Sequence, residues 1–218
     1  MVSYFYNKIK VFFCVYKKEN NPILSIFLDK NCIFFHIPKT AGISISNALF
    51  GNIKWGHRDV NFYKSYYGEK VFNSLYKFCF VRNPYDRLFS AYTFLKKGGI
   101  NNLDLEFSNS YLQEFANFDE FVLKGLEKEE IMNWVHFKPQ YTFVCDENDN
   151  IVMDFIGKME NLNADFSTVC KHLNIESELQ KLNVVAAKKY DFSEKVKAMI
   201  RLKYQKDFIL FYPHLQVY

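Results

Sequence analysis

An α/β domain built on a parallel sheet follows from two strand-to-helix units in succession and from the helical stretch between them. Residues 31–37 are nearly all apolar, as a strand buried on both faces must be, and the run stops at Pro38. Residues 76–81 repeat the pattern and lead into a turn at residues 82–86. A helical crossover between two such units sets the strands parallel and puts helices on the faces of the sheet.

Each element has a local reason. Small residues carry the chain from Pro38 through Gly42 into a helix over residues 43–50, where Ile45, Ala48 and Leu49 supply the apolar positions. Residues 59–74 read as the helical crossover. The second helix runs to about Lys97, with Asn83 as its cap, Pro84 at the first helical position and Asp86 at the third, where an acid favours the positive helix end. Residues 118–126 read as a helix. Residues 141–145 and 151–156 flank an Asp-Glu-Asn-Asp-Asn turn and read as a hairpin. Residues 165–173 and 193–211 read as amphipathic helices, the last with Val196, Ile200, Tyr204 and Phe208 on one face, and it is expected to cover the sheet.

A length of 218 residues suits one domain, here residues 31–218, with residues 1–30 an appendage packed on it. At 49% hydrophobic and 24% charged, the composition excludes disorder, collagen and coiled coil. The 28 basic residues nearly balance 24 acidic ones, for a net charge of +4, too even for a protein that coats a nucleic acid. An anionic ligand would need a local basic site. The five cysteines, at 14, 32, 79, 145 and 170, form no Cys-x-x-Cys pair; they read as buried free thiols in a reducing compartment, with no zinc site. The apolar run at residues 9–16 is broken by Lys10 and falls short of the about 20 residues a bilayer requires. With no small-residue cleavage site behind it, no transmembrane segment and a cytoplasmic location are expected.

Arginine occurs only at Arg58, Arg82, Arg87 and Arg201, and two of the four stand in the second strand-to-helix turn. The first turn offers Lys39, the hydroxyls of Thr40, Ser44 and Ser46, and Gly42, which allows close approach to the backbone. A loop entering a helix aims backbone N–H groups at one place, where the helix dipole favours an anion. It lacks the full glycine spacing of a nucleoside-triphosphate loop. Arg82 precedes the second helix and Ser90 follows eight residues later. Its planar fork of donors suits phosphate in a way lysine cannot reproduce. Arg87 reads either as a second anion-binding arginine or as a surface ion-pair residue.

The two segments His36-Ile37-Pro38-Lys39-Thr40-Ala41-Gly42-Ile43-Ser44-Ile45 and Phe80-Val81-Arg82-Asn83-Pro84-Tyr85-Asp86-Arg87-Leu88-Phe89-Ser90-Ala91-Tyr92 resemble the two cofactor motifs of the carbohydrate sulfotransferase family related to heparan 2-O-sulfotransferase. Residues 134–140, 154–162 and 207–212 are similar to weaker signatures of that family, so the resemblance spans residues 31–212. It implies a three-layer, P-loop-like α/β fold with a central parallel sheet. It also implies 3′-phosphoadenosine-5′-phosphosulfate as donor, adenosine 3′,5′-bisphosphate as product, and no metal. Lys39, Thr40, Ala41, Gly42, Ile43 and Ser44 would hold the 5′-phosphosulfate, and Arg82 and Ser90 the 3′-phosphate. The family commonly has Gly-Gly-Thr where this chain has Ala41-Gly42-Ile43. Ile43 brings no hydroxyl, and Ala41 is acceptable only where its φ is not positive.

Sulfuryl transfer requires a base for the acceptor hydroxyl, and histidine suits that task near neutrality. His57, in the segment 54–58, follows an apolar-polar stretch that reads as a second strand, and it resembles the Gly-His segment carrying the family's catalytic histidine. Lys39 would stabilise charge on the leaving oxygen. His136 is the runner-up base. Arg58, Trp134, His136 and Gln140 are candidates for binding the acceptor. His36 reads as a hydrogen-bonded core residue, His172 and His214 as helix-end surface residues, and Glu160 as a buried partner of a backbone or lysine group. The expected activity is sulfation of a hydroxyl on a saccharide or glycoconjugate, without a nucleic-acid partner. The alternatives are a P-loop-like kinase using ATP and a non-catalytic nucleotide-binding relative.

Overall fold

The computed structural model describes residues 22–51, 53, 56–179 and 190–215. Helix α1 (Pro22–Asp29) precedes strand β1 (Cys32–Phe35) and packs on it, burying Leu24 and Phe27. After β1 come α2 (Gly42–Phe50), then α3 (Val60–Tyr67) and α4 (Glu69–Ser74), which divide the expected crossover helix at Gly68, where φ is +76°. Strand β2 (Tyr76–Val81) follows, then α5 (Pro84–Lys96), α6 (Asn102–Phe107), α7 (Phe118–Lys124), α8 (Glu129–Met132) and α9 (Tyr141–Val144). Strand β3 (Phe155–Lys158) leads to α10 (Leu162–Leu173), α11 (Glu194–Lys203) and α12 (Gln205–Phe211).

Three parallel strands in the order β1-β2-β3 form one open sheet, with Cys32 opposite Tyr76 and Phe78 opposite Phe155. The architecture is the α/β class expected, with helices around the sheet. All of β1, and all of β2 beyond Tyr76, is buried, which is why these strands read as continuous apolar runs. Helix starts carry the caps their sequences promise: Asp59 accepts from the Phe62 N–H at 2.9 Å and Asn83 from the Tyr85 N–H at 3.0 Å.

The expected hairpin does not form. Residues 141–144 make one helical turn, a single antiparallel bridge joins Cys145 to Ile151, and Phe155–Lys158 pairs parallel with β2 instead. A short apolar run cannot by itself distinguish a strand from a buried turn of helix. Here the Asp207 carboxylate accepts the N–H groups of Gln140 and Tyr141, at 2.8 and 2.9 Å, and so starts a helical turn. Asp154 then delivers the chain to β2: its N–H donates to the Lys77 carbonyl at 2.8 Å, and its carboxylate accepts the Lys77 N–H at 2.7 Å.

The last amphipathic helix is two helices broken at Tyr204, yet Val196, Ile200, Tyr204 and Phe208 all lie buried as their spacing requires. Its principal neighbours are helices α7, α5 and α9, a correction to the expectation that it covers the sheet. The strand expected ahead of His57 falls mostly outside the described residues; Gly56, His57 and Arg58 belong to no strand. Cys32, Cys79, Cys145 and Cys170 are buried free thiols, and Cys14 lies outside the described residues. Among the described residues no helix is long and apolar enough to cross a membrane.

Candidate active site

The carboxyl ends of β1 and β2 open side by side into the two loops. In the first, Lys39 and Ala41 both have positive φ, +69° and +64°. Left-handed backbone costs a residue bearing a Cβ roughly 1–2 kcal/mol, and such strain collects where successive N–H groups are turned toward a ligand. Ala41 thus has the conformation its side chain tolerates poorly. Gly42 answers a different need, since a Cβ there would lie 1.8 Å from Cδ2 of His36, whose ring fills the space beneath it.

The hydroxyls of this loop divide. Thr40 is fully buried and donates to the Ile37 carbonyl at 2.9 Å, and Ser46 donates to the Ile53 carbonyl at 3.2 Å. The expectation that the Thr40 hydroxyl faces the ligand is therefore corrected: it closes the turn instead. Ser44 is half-buried and unbonded among the described residues, while Ile43 is 58% exposed. Lys39 sets its ammonium 3.9 Å from the centre of the Phe94 ring. Burial first, and then Arg82, bring its pKa down to about 8 against the opposing pull of Asp104.

Arg82 meets the first loop directly, with Nη1 3.5 Å from the Lys39 carbonyl oxygen. Its backbone is held from elsewhere. The Arg82 N–H donates to Oε1 of Gln140 and its carbonyl accepts from Nε2, both at 2.9 Å. Next to it, the Asn83 N–H donates to Oε1 of Glu160 at 2.6 Å, and the Tyr212 hydroxyl donates to Oε2 of the same carboxylate at 2.8 Å. Glu160 is thus a backbone partner, although exposed where a buried one was expected. Burial lowers the Arg82 pKa and Asp86 and Glu160 oppose that shift, so the guanidinium stays charged. Ser90 is half-buried on α5, and no hydrogen bond joins it to Arg82.

His57 reaches the same place. Its Nδ1 lies 2.7 Å from the His36 carbonyl oxygen; a carbonyl only accepts, so Nδ1 carries the proton and Nε2 keeps a lone pair. Its ring is 4.4 Å from that of His36 and 5.5 Å from that of His136, centre to centre. Burial lowers its pKa, opposed by the bond to His36 and by Asp104, so it is neutral at neutral pH. His136 is buried, with Nε2 3.4 Å from Oδ1 of Asp104, and burial together with His57 and Lys39 brings its pKa down to about 3. The His36 ring is also held neutral, chiefly by burial, and it is the carbonyl of this residue that bonds.

Among the acceptor candidates, Gln140 is fully buried with both ends of its amide on Arg82, so it is corrected from a substrate contact to a support of the arginine. Trp134 stacks on Phe107 at 4.2 Å and serves packing. Arg58 is exposed, 4.8 Å above the Phe62 ring. Arg87 is also corrected. Far from being a surface residue, it is fully buried and donates to the carbonyls of His136, at 3.3 Å, and Lys138, at 2.6 Å. His172 and His214 are exposed, the former stacked on Tyr76 at 3.6 Å.

Sequence reasoning missed Phe94, Asp104 and Asp207. Asp104 had a signal, because Asn101 caps α6 three residues before it; Phe94 and Asp207 act only through tertiary contacts. The model of the Sulfotransferase family matches residues 24–213, beginning within the segment that the motif resemblance left out. An uncharacterized protein of Archaeoglobus fulgidus is 32% identical over 127 residues, covering 56% of this chain and 88% of its own length. No solved structure matches the chain.

Proposed function

The chain belongs to the sulfotransferase family, and we propose that it moves a sulfuryl group from 3′-phosphoadenosine-5′-phosphosulfate to a hydroxyl of a saccharide or glycoconjugate. The observation that carries the donor assignment is the meeting of Lys39 and Arg82, two half-buried cations from neighbouring loops, with the Arg82 guanidinium 3.5 Å from the Lys39 carbonyl oxygen. The strained Lys39–Ala41 backbone and the start of α2 present N–H donors to the phosphosulfate, with Ser44 as the available hydroxyl. Arg82 and the Ser90 hydroxyl, unbonded among the described residues, take the 3′-phosphate.

In the reaction, His57 Nε2 removes the proton of the acceptor hydroxyl as its oxygen bonds to sulfur and the bond from sulfur to the 5′-phosphate oxygen breaks. The proton stays on His57 and is later lost to water. Lys39, charged below its pKa of about 8, stabilises the negative charge that grows on the leaving oxygen. The bond from Nδ1 to the His36 carbonyl fixes which nitrogen acts and supports the imidazolium that forms.

Calorimetry with adenosine 3′,5′-bisphosphate, 5′-AMP and ATP tests the donor assignment. The first is expected to bind about tenfold or more tighter than 5′-AMP, the worth of a charge-assisted contact to the extra phosphate. Arg82→Ala should erase that advantage. Equal binding of adenosine 3′,5′-bisphosphate and 5′-AMP, or a preference for ATP, would overturn the assignment. Labelled donor offered to a panel of saccharides then reports the acceptor.

A further inference from the structure

We propose that Gln140 is a positioning residue for Arg82, anchored from α12 through Asp207, and that this linkage sets how strongly the chain prefers a 3′-phosphorylated nucleotide. The inference rests on the reading of Arg82 given above and goes beyond it by naming what aims the arginine.

Arg82 is the first residue past the sheet, since the last registered pair between β2 and β3 is Val81 with Lys158. A backbone at that point is free to fray. The Gln140 amide does there what a neighbouring strand would do, accepting the Arg82 N–H and donating to the Arg82 carbonyl, both at 2.9 Å. One side chain spends both ends of its amide on one residue. Fully buried, it has no water to fall back on, so misalignment would leave polar groups unpaired.

Gln140 is itself held from behind. The Asp207 carboxylate accepts the Gln140 N–H at 2.8 Å and the Tyr141 N–H at 2.9 Å. Tyr204 donates to the Phe137 carbonyl at 2.7 Å, and Arg87 takes the carbonyls of His136 and Lys138. Buried side chains of α5 and the C-terminal segment therefore grip most peptide groups of residues 136–141. Arg87 and Asp207 are both fully buried, so the segment cannot shift without abandoning two buried ionisable groups. A guanidinium that must meet a phosphate within a fraction of an ångström needs such a support.

The experiment measures the affinity ratio between adenosine 3′,5′-bisphosphate and 5′-AMP in wild type, Gln140→Met, Arg82→Ala and the double variant. Gln140→Met keeps the side chain's length and removes both hydrogen bonds. Its ratio is expected to fall about tenfold while 5′-AMP affinity holds within about twofold. In the Arg82→Ala background the same change should have no further effect, a coupling that mere destabilisation would not produce. Should Gln140→Met lose its thermal transition, Gln140→Asn carries the test, because its amide is one methylene too short to span both Arg82 groups. An unchanged ratio in whichever variant folds, or an undiminished effect without Arg82, overturns the proposal. A wild type that binds the two nucleotides equally overturns the Arg82 reading itself, a different and separable result.

Discussion

The loop after β1 and the loop after β2 both leave a parallel strand for a helix, yet they are built in opposite ways. In the first the backbone is strained, with two left-handed residues, Lys39 and Ala41, and a helix start that no side chain caps. In the second the backbone is relaxed: Asn83 caps α5, Pro84 opens it, and no residue has positive φ. The first loop presents N–H groups and so must contort; the second presents a side chain and needs only to be held, which Gln140 and Glu160 do from outside. The proposed base lies at the strained loop, where His57 docks on the His36 carbonyl.

The largest effect should fall on that side. His57→Ala is expected to lower kcat by about 10²–10⁴, the usual worth of a general base, with adenosine 3′,5′-bisphosphate affinity within about twofold of wild type. Initial rates and calorimetry check both halves, and a variant losing binding as much as rate would dissolve the division of labour between the loops.

A titration should separate the loops next. Lys39 has its pKa lowered to about 8, so its charge is complete well below that pH and lost above it, and kcat/KM for the donor should fall about tenfold per pH unit on the alkaline side. Arg82 stays charged throughout. Lys39→Arg should flatten the alkaline limb, whereas Arg82→Ala should lower the whole profile and keep the limb. His57 has its pKa lowered, so its loss on the acid side comes below the ordinary histidine value of about 6.5.

The smallest effect concerns stability. Ala41→Gly relieves about 1–2 kcal/mol of left-handed strain and adds about 0.4–1 kcal/mol of unfolded-state entropy, for a net gain of about 0.5–1 kcal/mol. Asn83→Gly in the other loop gives up a cap where nothing is strained and should cost a few tenths of a kcal/mol. Thermal unfolding reads both changes, and equal signs would show that the two backbones do not differ in strain.

Much of the fold was legible because burial on both faces writes a strand as an unbroken apolar run, as in β1 and β2, and because caps such as Asn83 are local. Residues 141–145 were misread because the carboxylate that makes them turn lies at Asp207, more than sixty positions away. The cations of the candidate site stood out as a scarce arginine, Arg82, and a lysine in a small-residue loop, Lys39. Their supports did not, since a glutamine or aspartate reads the same whether it meets substrate, solvent or a peptide group.

Sequence by itself determined the class of fold and the two strand-to-helix loops, and it singled out Lys39 and Arg82 as the groups proposed to meet an anion, all of which rest on short-range pattern and residue chemistry. Tertiary structure alone decided that the Thr40 hydroxyl is spent inward; that Ala41 is left-handed; that Arg87 is buried; and that Gln140 holds Arg82. Each of those depends on what lies opposite across the fold, and partners brought together by packing leave no periodic mark along the chain.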